Sequence, residues 1–503
     1  MKAFAVTAAT VGLVASGMLP AGQSSERVDA AAVATIRDEG LNRSQAGALF
    51  SMLTDGIGPR LTGSSAHRRA ADWARDTLAR WGLSGARLEP FEFGRGWELD
   101  HFVLEMVEPR YMPLLGYPEA WSPSTPGEVL VPAVFVAGKS AEELAAMKEL
   151  RGAAVLQAAM VTNFITTDRI QPTAQPTDPP PPAPGGGRPG GARQGGAGRG
   201  GAAAAGGLTV NQALQQAGAA VLIRPSRGMH GTVFVQAGRD NPADPLPRVV
   251  LAGEHYNLIA RMTSRGIPVK LRVSVRARFL DQDRMSYNVL AEIPGTDPVL
   301  GRQVVMLGAH LDSWHTGTGA TDNADGSAAA MEAFRILTAT RLGPRRTLRL
   351  ALWSGEEQGL LGSRAYVRAH LEGDANKAAR DALTVYFNID PGKGPIYGWF
   401  LEHNPAVAPI FDAWLAPFRD MGAVRNVAQG IGSTDHLSFI AAGVPGFNPV
   451  QDYVDYDVRE HHTNADTSER VKEQDLRQNA VILASFLYHA AMRAEPLPSP
   501  IRR

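Results

Sequence analysis

A chain of 503 residues is long enough for two or three domains, each with its own core. Fifty basic side chains balance fifty acidic ones, so no global field favours nucleic acid or an anionic membrane surface as partner. There is no cysteine, which excludes disulfides, thiolate nucleophiles and Cys-based zinc sites; any metal must be held by histidine and carboxylates.

The N-terminus, "MKAFAVTAATVGLVASGMLPAGQSS", has one Lys, an apolar run from Ala3 to Leu19 and then small polar residues. That pattern predicts a signal peptide over 1–25 and an exported protein, periplasmic or secreted. Cleavage stays open between Ala15-Ser16-Gly17 and Val28-Asp29-Ala30, and an uncleaved anchor is the alternative, because about 20 apolar residues span a bilayer. No later segment is apolar enough to cross a membrane, so no other membrane association is expected.

Apolar residues at helical spacing, Ala71, Trp73, Leu78 and Trp81, predict an outer helix within 38–83. Strands are expected over 87–93 and 102–107, followed by Pro109, Pro113, Pro118, Pro123 and Pro126, which interrupt the pattern. A boundary is placed there, so that 35–125 forms one part of a first domain and 126–280 an insertion. The insertion shows short β-type runs, "VLVPAVFVAG", "GAAVLQAAM", "GAAVLIRP" and "VKLRVSVRARFL", with helical pieces at 142–149 and 210–216. Within it, 172–207 is a Pro/Gly-rich stretch that cannot bury apolar surface and reads as a disordered loop. Its Arg188, Arg193 and Arg199 are too few, in a neutral chain, to argue for nucleic acid.

From Ser286 strands alternate with helices: "SYNVLAEI", "QVVMLGAHL", a helix over 326–338, "TLRLALWS", a helix over 362–370, then "LTVYFNID". This alternation over 281–495 predicts an α/β domain with a mixed, mainly parallel central sheet and helices on both faces. Ligands of such sheets bind beyond the carboxyl ends of the strands.

Polar residues recur at those ends. "VVMLGAHLDSW" ends in His310 and Asp312, "GATDNADGS" supplies Asp322 before a helix, "LALWSGEE" ends in Glu356 and Glu357, and "VYFNID" ends in Asp390. Singly, His310 could be a core histidine, Asp322 a helix N-cap and Asp390 a turn residue. Together, several carboxylates in one place would repel each other unless a cation neutralised them. A mixed histidine and carboxylate set points to zinc, with cobalt or manganese as alternatives. So many acids suit two ions about 3.5–4 Å apart sharing one bridging carboxylate. "REHHTNADTS" provides the further histidines His461 and His462.

The ordered set "HLDSW", "GATDNADGSAA", "LWSGEEQGLLGS", "NIDPG", "GSTDHLSF" and "HHTNADT" resembles the co-catalytic zinc exopeptidases of metallopeptidase family 28. "HLDSW" and "TLRLALWSGEEQG" are most similar to its plasma glutamate carboxypeptidase branch, over 41–102 and 286–491, and the insertion resembles a small α/β protease-associated domain. The resemblance implies two zinc ions per chain: His310 and Asp390 on one, Glu357 and His462 on the other, Asp322 bridging. His462 is preferred over His461 because the family motif is His-Thr with an acid four residues after the histidine, here Asp466. It implies Glu356 as general base, with Asp312, two residues after His310 and so on the same side of an extended strand, orienting the His310 ring. Asp435, His436 and His461 are expected at the substrate pocket, and Trp314 and His315 as a cleft wall. Tyr453 and Tyr456 are expected to pack rather than bind, and His67, His101, His230, His255, His370, His403 and His489 to stand outside the site. The implied activity is exopeptidase hydrolysis of a peptide or dipeptide, amino- or carboxypeptidase left open, with a homodimer suggested by analogy alone. Two alternatives remain at this point: an inactive receptor or binding protein on the same fold, and a single-zinc cyclase or acyltransferase.

Overall fold

The computed structural model describes residues 26–170, 208–236 and 246–500. The expected signal peptide at 1–25 and the Pro/Gly-rich stretch at 172–207 lie outside them. Among the described residues no helix is long and apolar enough to cross a membrane.

In chain order the strands are β1 Ser84–Glu92, β2 Gly96–Glu108, β3 Met112–Pro113, β4 Gly116–Pro118, β5 Val129–Phe135, β6 Ala154–Leu156, β7 Val221–Pro225, β8 Arg248–Leu251, β9 Lys270–Leu280, β10 Met285–Ile293, β11 Val304–His310, β12 Thr347–Trp353, β13 Leu383–Asn388, β14 Lys393–Phe400 and β15 Gly446–Asp452. They form two sheets. The first has the order β1-β10-β12-β11-β13-β15-β14. Its centre, β12, β11, β13 and β15, is parallel, and β10 and β14 flank it antiparallel.

All seven residues of β11 are buried, which explains why its sequence is a continuous apolar run rather than an alternation. Val305, Leu307 and Ala309 face a large core built with helices Ala30–Asn42, Ser65–Arg80, Asp325–Thr340 and Glu473–Met492. Val304 and Met306 face a second cluster with Tyr366, Val367 and Phe439, from helices Leu361–His370 and His436–Ala441. The expected helix over 326–338 extends to Asp325–Thr340, and 13 of its residues are buried, because it lies between the sheet and outer helices.

The second sheet has the order β3-β2-β9-β5-β6-β7-β8-β4 and its own apolar cluster. Its helices begin as their sequences suggest: Ser140 and Glu143 form a capping box at Ala141–Ala146, and Thr209 and Gln212 another at Val210–Ala217. One expectation is corrected here. Residues 96–118, assigned by sequence to the first domain, supply β2, β3 and β4 of this second sheet. The long ladder of β2 on β9, from Gly96↔Leu280 to Glu108↔Lys270, joins segments too far apart in sequence for any local signal to pair them.

Candidate metal centre

The strand ends expected to carry chemistry lie together at the carboxyl edge of the first sheet. His310 closes β11, and Glu356 and Glu357 lie in the turn after β12. Asp390 follows β13, and His462 sits in the long connection after β15. Asp322 is not a cap. The helix starts at Asp325, and Asp322 itself is non-helical (φ −137°, ψ 81°), which frees its carboxylate.

Three devices hold this edge. Asn323 donates to the Ile389 carbonyl (2.9 Å) and accepts from Gly326 N–H (3.1 Å), tying the Asp322 turn to the end of β13. Only glycine fits at 326, since a Cβ would lie 2.1 Å from Asn323 Oδ1 and 2.8 Å from the Ile389 carbonyl. Asp466 Oδ1 accepts from the N–H and hydroxyl of Thr321 at 2.7 and 2.8 Å, joining that turn to the His462 loop. Arg60 is fully buried and donates to the carbonyls of Leu53, Gly58, Leu311, Thr318 and Gly319 at 2.8–3.1 Å, pinning the loop between His310 and Asp322.

Asp322 offers one oxygen to each side. Its Oδ1 is 3.1 Å from His310 Nε2, whose other neighbour is Asp390 Oδ1 at 3.7 Å. Its Oδ2 is 3.1 Å from His462 Nε2, which lies 2.8 Å from Glu357 Oε2. His310, Asp322 and Asp390 form one group able to hold a metal, and Asp322, His461 and His462 another. Glu357 is nearer His462 than His461 is to Asp322 (Nε2 to Oδ2, 3.9 Å), so Glu357 competes for that second position.

Asp312 differs from its expected role. β11 ends at His310, so the carboxylate of Asp312 swings away from that ring: His310 Nδ1 meets the Asp312 main-chain carbonyl at 2.9 Å and the carboxylate only at 3.7 Å. The carboxylate instead accepts from Thr62 Oγ1 (2.8 Å) and from the N–H groups of Glu356 and Glu357 (3.3 and 3.4 Å). It orients the turn that carries both glutamates.

The electrostatics are those of crowded anions. Burial, with Asp322 alongside, raises Glu357 to about 7, and burial raises Asp466 to about 7. Glu356 is raised well above the usual range by burial, the negative field of Asp390, Asp435 and Glu357 adding to it while His310 opposes. Burial disfavours the charge on Asp322 too, but the facing His310 and His462 rings outweigh it and hold that carboxyl low. Burial likewise disfavours protonated His462, yet Glu357 and Asp322 raise it to about 10. Among the described residues, three buried atoms of these ligands find no hydrogen-bond partner: His310 Nε2, Asp322 Oδ2 and Glu357 Oε1. A divalent cation fits this donor set, because it neutralises the acids and gives those atoms a partner.

The remaining expected residues divide. Asp435 and His436 are fully buried, and neither oxygen of Asp435 has a hydrogen-bond partner, although burial raises it to about 7. His436 Nε2 lies 3.3 Å from Glu402 Oε1. His461 packs between Tyr456 (5.2 Å, stacked) and the His462 ring (3.7 Å), inside the centre rather than on a separate substrate surface. Trp314 lines a small cavity with Asp322, Glu357, His462 and Asp466, whereas His315 turns away to the Pro118 carbonyl (2.8 Å). Tyr453 and Tyr456 pack under Arg169, which is bidentate to Asp457. None of the seven histidines expected outside the site joins either metal-holding group. Arg60, Arg169 and Glu402 were not singled out by sequence, because a lone charged residue carries no periodic or motif signal.

The family model described as "Peptidase family M28" matches residues 288–487, which include every expected metal ligand. Over that segment the chain is similar to peptidase family M28. Among curated relatives, carboxypeptidase Q of Homo sapiens is 26% identical over 453 residues, covering 89% of this chain and 86% of that protein. Two solved structures share the fold of this chain. The peptidase M28 precursor of Shewanella amazonensis SB2B has a TM-score of 0.67 at 24% identity, covering 93% of this chain and 98% of that one. BSAP, a zinc aminopeptidase from Bacillus subtilis, has a TM-score of 0.57 at 17% identity, covering 89% and 95%.

Proposed function

We propose that this chain is an M28-type metallo-exopeptidase that hydrolyses terminal peptide bonds, or the bond of a dipeptide, with two zinc ions per chain. The observation that carries the reading is the split of one carboxylate: Asp322 directs Oδ1 to His310 and Oδ2 to His462, each at 3.1 Å, as a bridging ligand would. His310 and Asp390 would hold one ion and Glu357 and His462 the other. The names of relatives, a carboxypeptidase and a zinc aminopeptidase, support metal-dependent peptide hydrolysis.

Bound there, zinc would supply Lewis acidity for the attacking water and the scissile carbonyl. Glu356 is the general base: it takes the proton of the attacking water and returns it to the leaving amine. Asp312 fixes the position of Glu356 through its backbone N–H, and Thr62 in turn fixes Asp312. Trp314 bounds the cavity and limits water beside Glu357 and His462.

The test is a panel of free and N-blocked dipeptides and longer peptides, with zinc quantified. Glu356→Gln is expected to keep its zinc and lose roughly 10²–10⁴-fold or more of turnover, the scale of general acid–base catalysis. Retained hydrolysis by that variant refutes the base, and no hydrolysis by fully loaded native protein favours the inactive binding protein. Blocking the N-terminus separates an aminopeptidase, which loses cleavage, from a carboxypeptidase, which does not.

A further inference from the structure

One short segment of the second sheet's unit, 233–236, pairs with the chain around His462. The Val235 N–H donates to the His462 carbonyl at 3.2 Å, Phe234 forms a bridge with Thr463, and Val233 and Asn464 exchange two bonds (Asn464 N–H to Val233 carbonyl, 3.3 Å; Val233 N–H to Asn464 Oδ1, 2.6 Å). This pairing grips the chain at the residue that needs it. His462 has φ +63°, a left-handed conformation that a non-glycine residue keeps only when its surroundings impose it.

The same segment ends on Gln236, whose side-chain amide contacts His462 Nδ1. The opposite ring nitrogen, Nε2, faces Asp322 and Glu357. A histidine that binds metal through Nε2 keeps a proton on Nδ1, and metal-binding histidines nearly always give that proton to an oxygen that fixes the ring. A primary amide presents its oxygen or its nitrogen by a half-turn. Gln236 is thus placed to accept from Nδ1–H through Oε1. The other neighbours of the ring, Trp314 and His461, are aromatic faces at 6.1 and 3.7 Å.

We propose that Gln236, contributed by the second sheet's unit, is a positioning residue for His462, so that the metal position formed by Glu357 and His462 depends on that unit. The proposal rests on the reading of His462 as a ligand. A second contact keeps the two units in register beside it: Asp168 accepts from the backbone N–H groups of Asp455, Asp457 and Val458 at 2.8–3.0 Å.

The experiment titrates metal-free full-length protein with zinc in a calorimeter, native beside Gln236→Ala, Gln236→Glu and His462→Ala. Gln236→Ala is expected to bind two equivalents with one step weakened roughly 10- to 100-fold, while its metal-free melting temperature equals that of the native protein. Gln236→Glu, which still offers an oxygen acceptor, is expected to restore that step. Native affinity in Gln236→Ala, or a Glu variant as weak as the Ala variant, overturns the positioning role. Two full-affinity equivalents in His462→Ala overturn the ligand reading beneath it, which is a distinguishable failure.

Discussion

Replacing Arg60 by Met is expected to destabilise the metal-free protein by about 4 kcal/mol, judged from the low end of what charged hydrogen bonds contribute. The guanidinium donates to five main-chain carbonyls and is fully buried. At roughly 1.5 kcal/mol each, five such bonds amount to about 7–8 kcal/mol. Against this stands the cost of burying the cation, which lowers its pKa from 12.5 to about 10 even with Asp466 and Asp312 opposing. That shift is about 3 kcal/mol, leaving a net of about 4. Arg60→Lys should fall between, since an ammonium keeps the charge but has three donors for five carbonyls. Urea unfolding of metal-stripped native and variant proteins measures the difference. A loss below about 1 kcal/mol for Arg60→Met would refute the reasoning, because it would mean the carbonyls find other partners.

Three further outcomes follow from particular residues. His67 is fully buried and burial pushes its pKa down from 6.5 to about 4, so the folded protein keeps it neutral. The unfolded chain takes up a proton first, so the stability from this group is complete above pH 6.5 and is lost as pH falls to about 4, by about 3 kcal/mol. His67→Gln in metal-stripped protein should flatten the acid slope of stability between those limits; parallel slopes for the two proteins would count against it. Gly317→Ala places a Cβ 2.5 Å from the Thr463 carbonyl and 2.7 Å from that of Asp466. Both are backbone, so a loss of about 1–3 kcal/mol and weaker zinc binding are expected, measured by melting and zinc titration. Asp457→Asn breaks the fork with Arg169, a third of which is exposed; about 1–2 kcal/mol of stability should be lost, read from denaturant midpoints at neutral pH.

What the sequence made legible was set by proximity along the chain and by chemistry that one residue type can announce. His310, Glu357 and Asp390 were singled out because each follows an apolar run that ends at the sheet's carboxyl edge, Asp322 because it stands in the loop before a helix and clustered acids need a cation, and His462 over His461 only by the resemblance to metallopeptidase family 28. β11 and β12 were legible for the same reason. β2 was misassigned, since its partner β9 is the last strand of the inserted unit, more than 150 residues on, and alternation does not say which strand it meets. Asp312 was named for its spacing from His310, but that spacing assumes the strand continues, and it ends at His310. Arg60 and Gln236 act through the fold, across 251 and 226 residues, by contacts with no local pattern.

The central claim is that Asp322 joins two metal positions. Zinc content after exhaustive dialysis, together with stepwise zinc titration, tests it in the native protein beside Asp390→Asn, Glu357→Gln and Asp322→Asn. The account predicts two zinc ions per native chain, loss of one ion in each of the first two variants, and weakening of both steps in Asp322→Asn. One zinc per chain in fully active native protein, or an Asp322→Asn variant that loses a single ion and binds the other at native affinity, would contradict it.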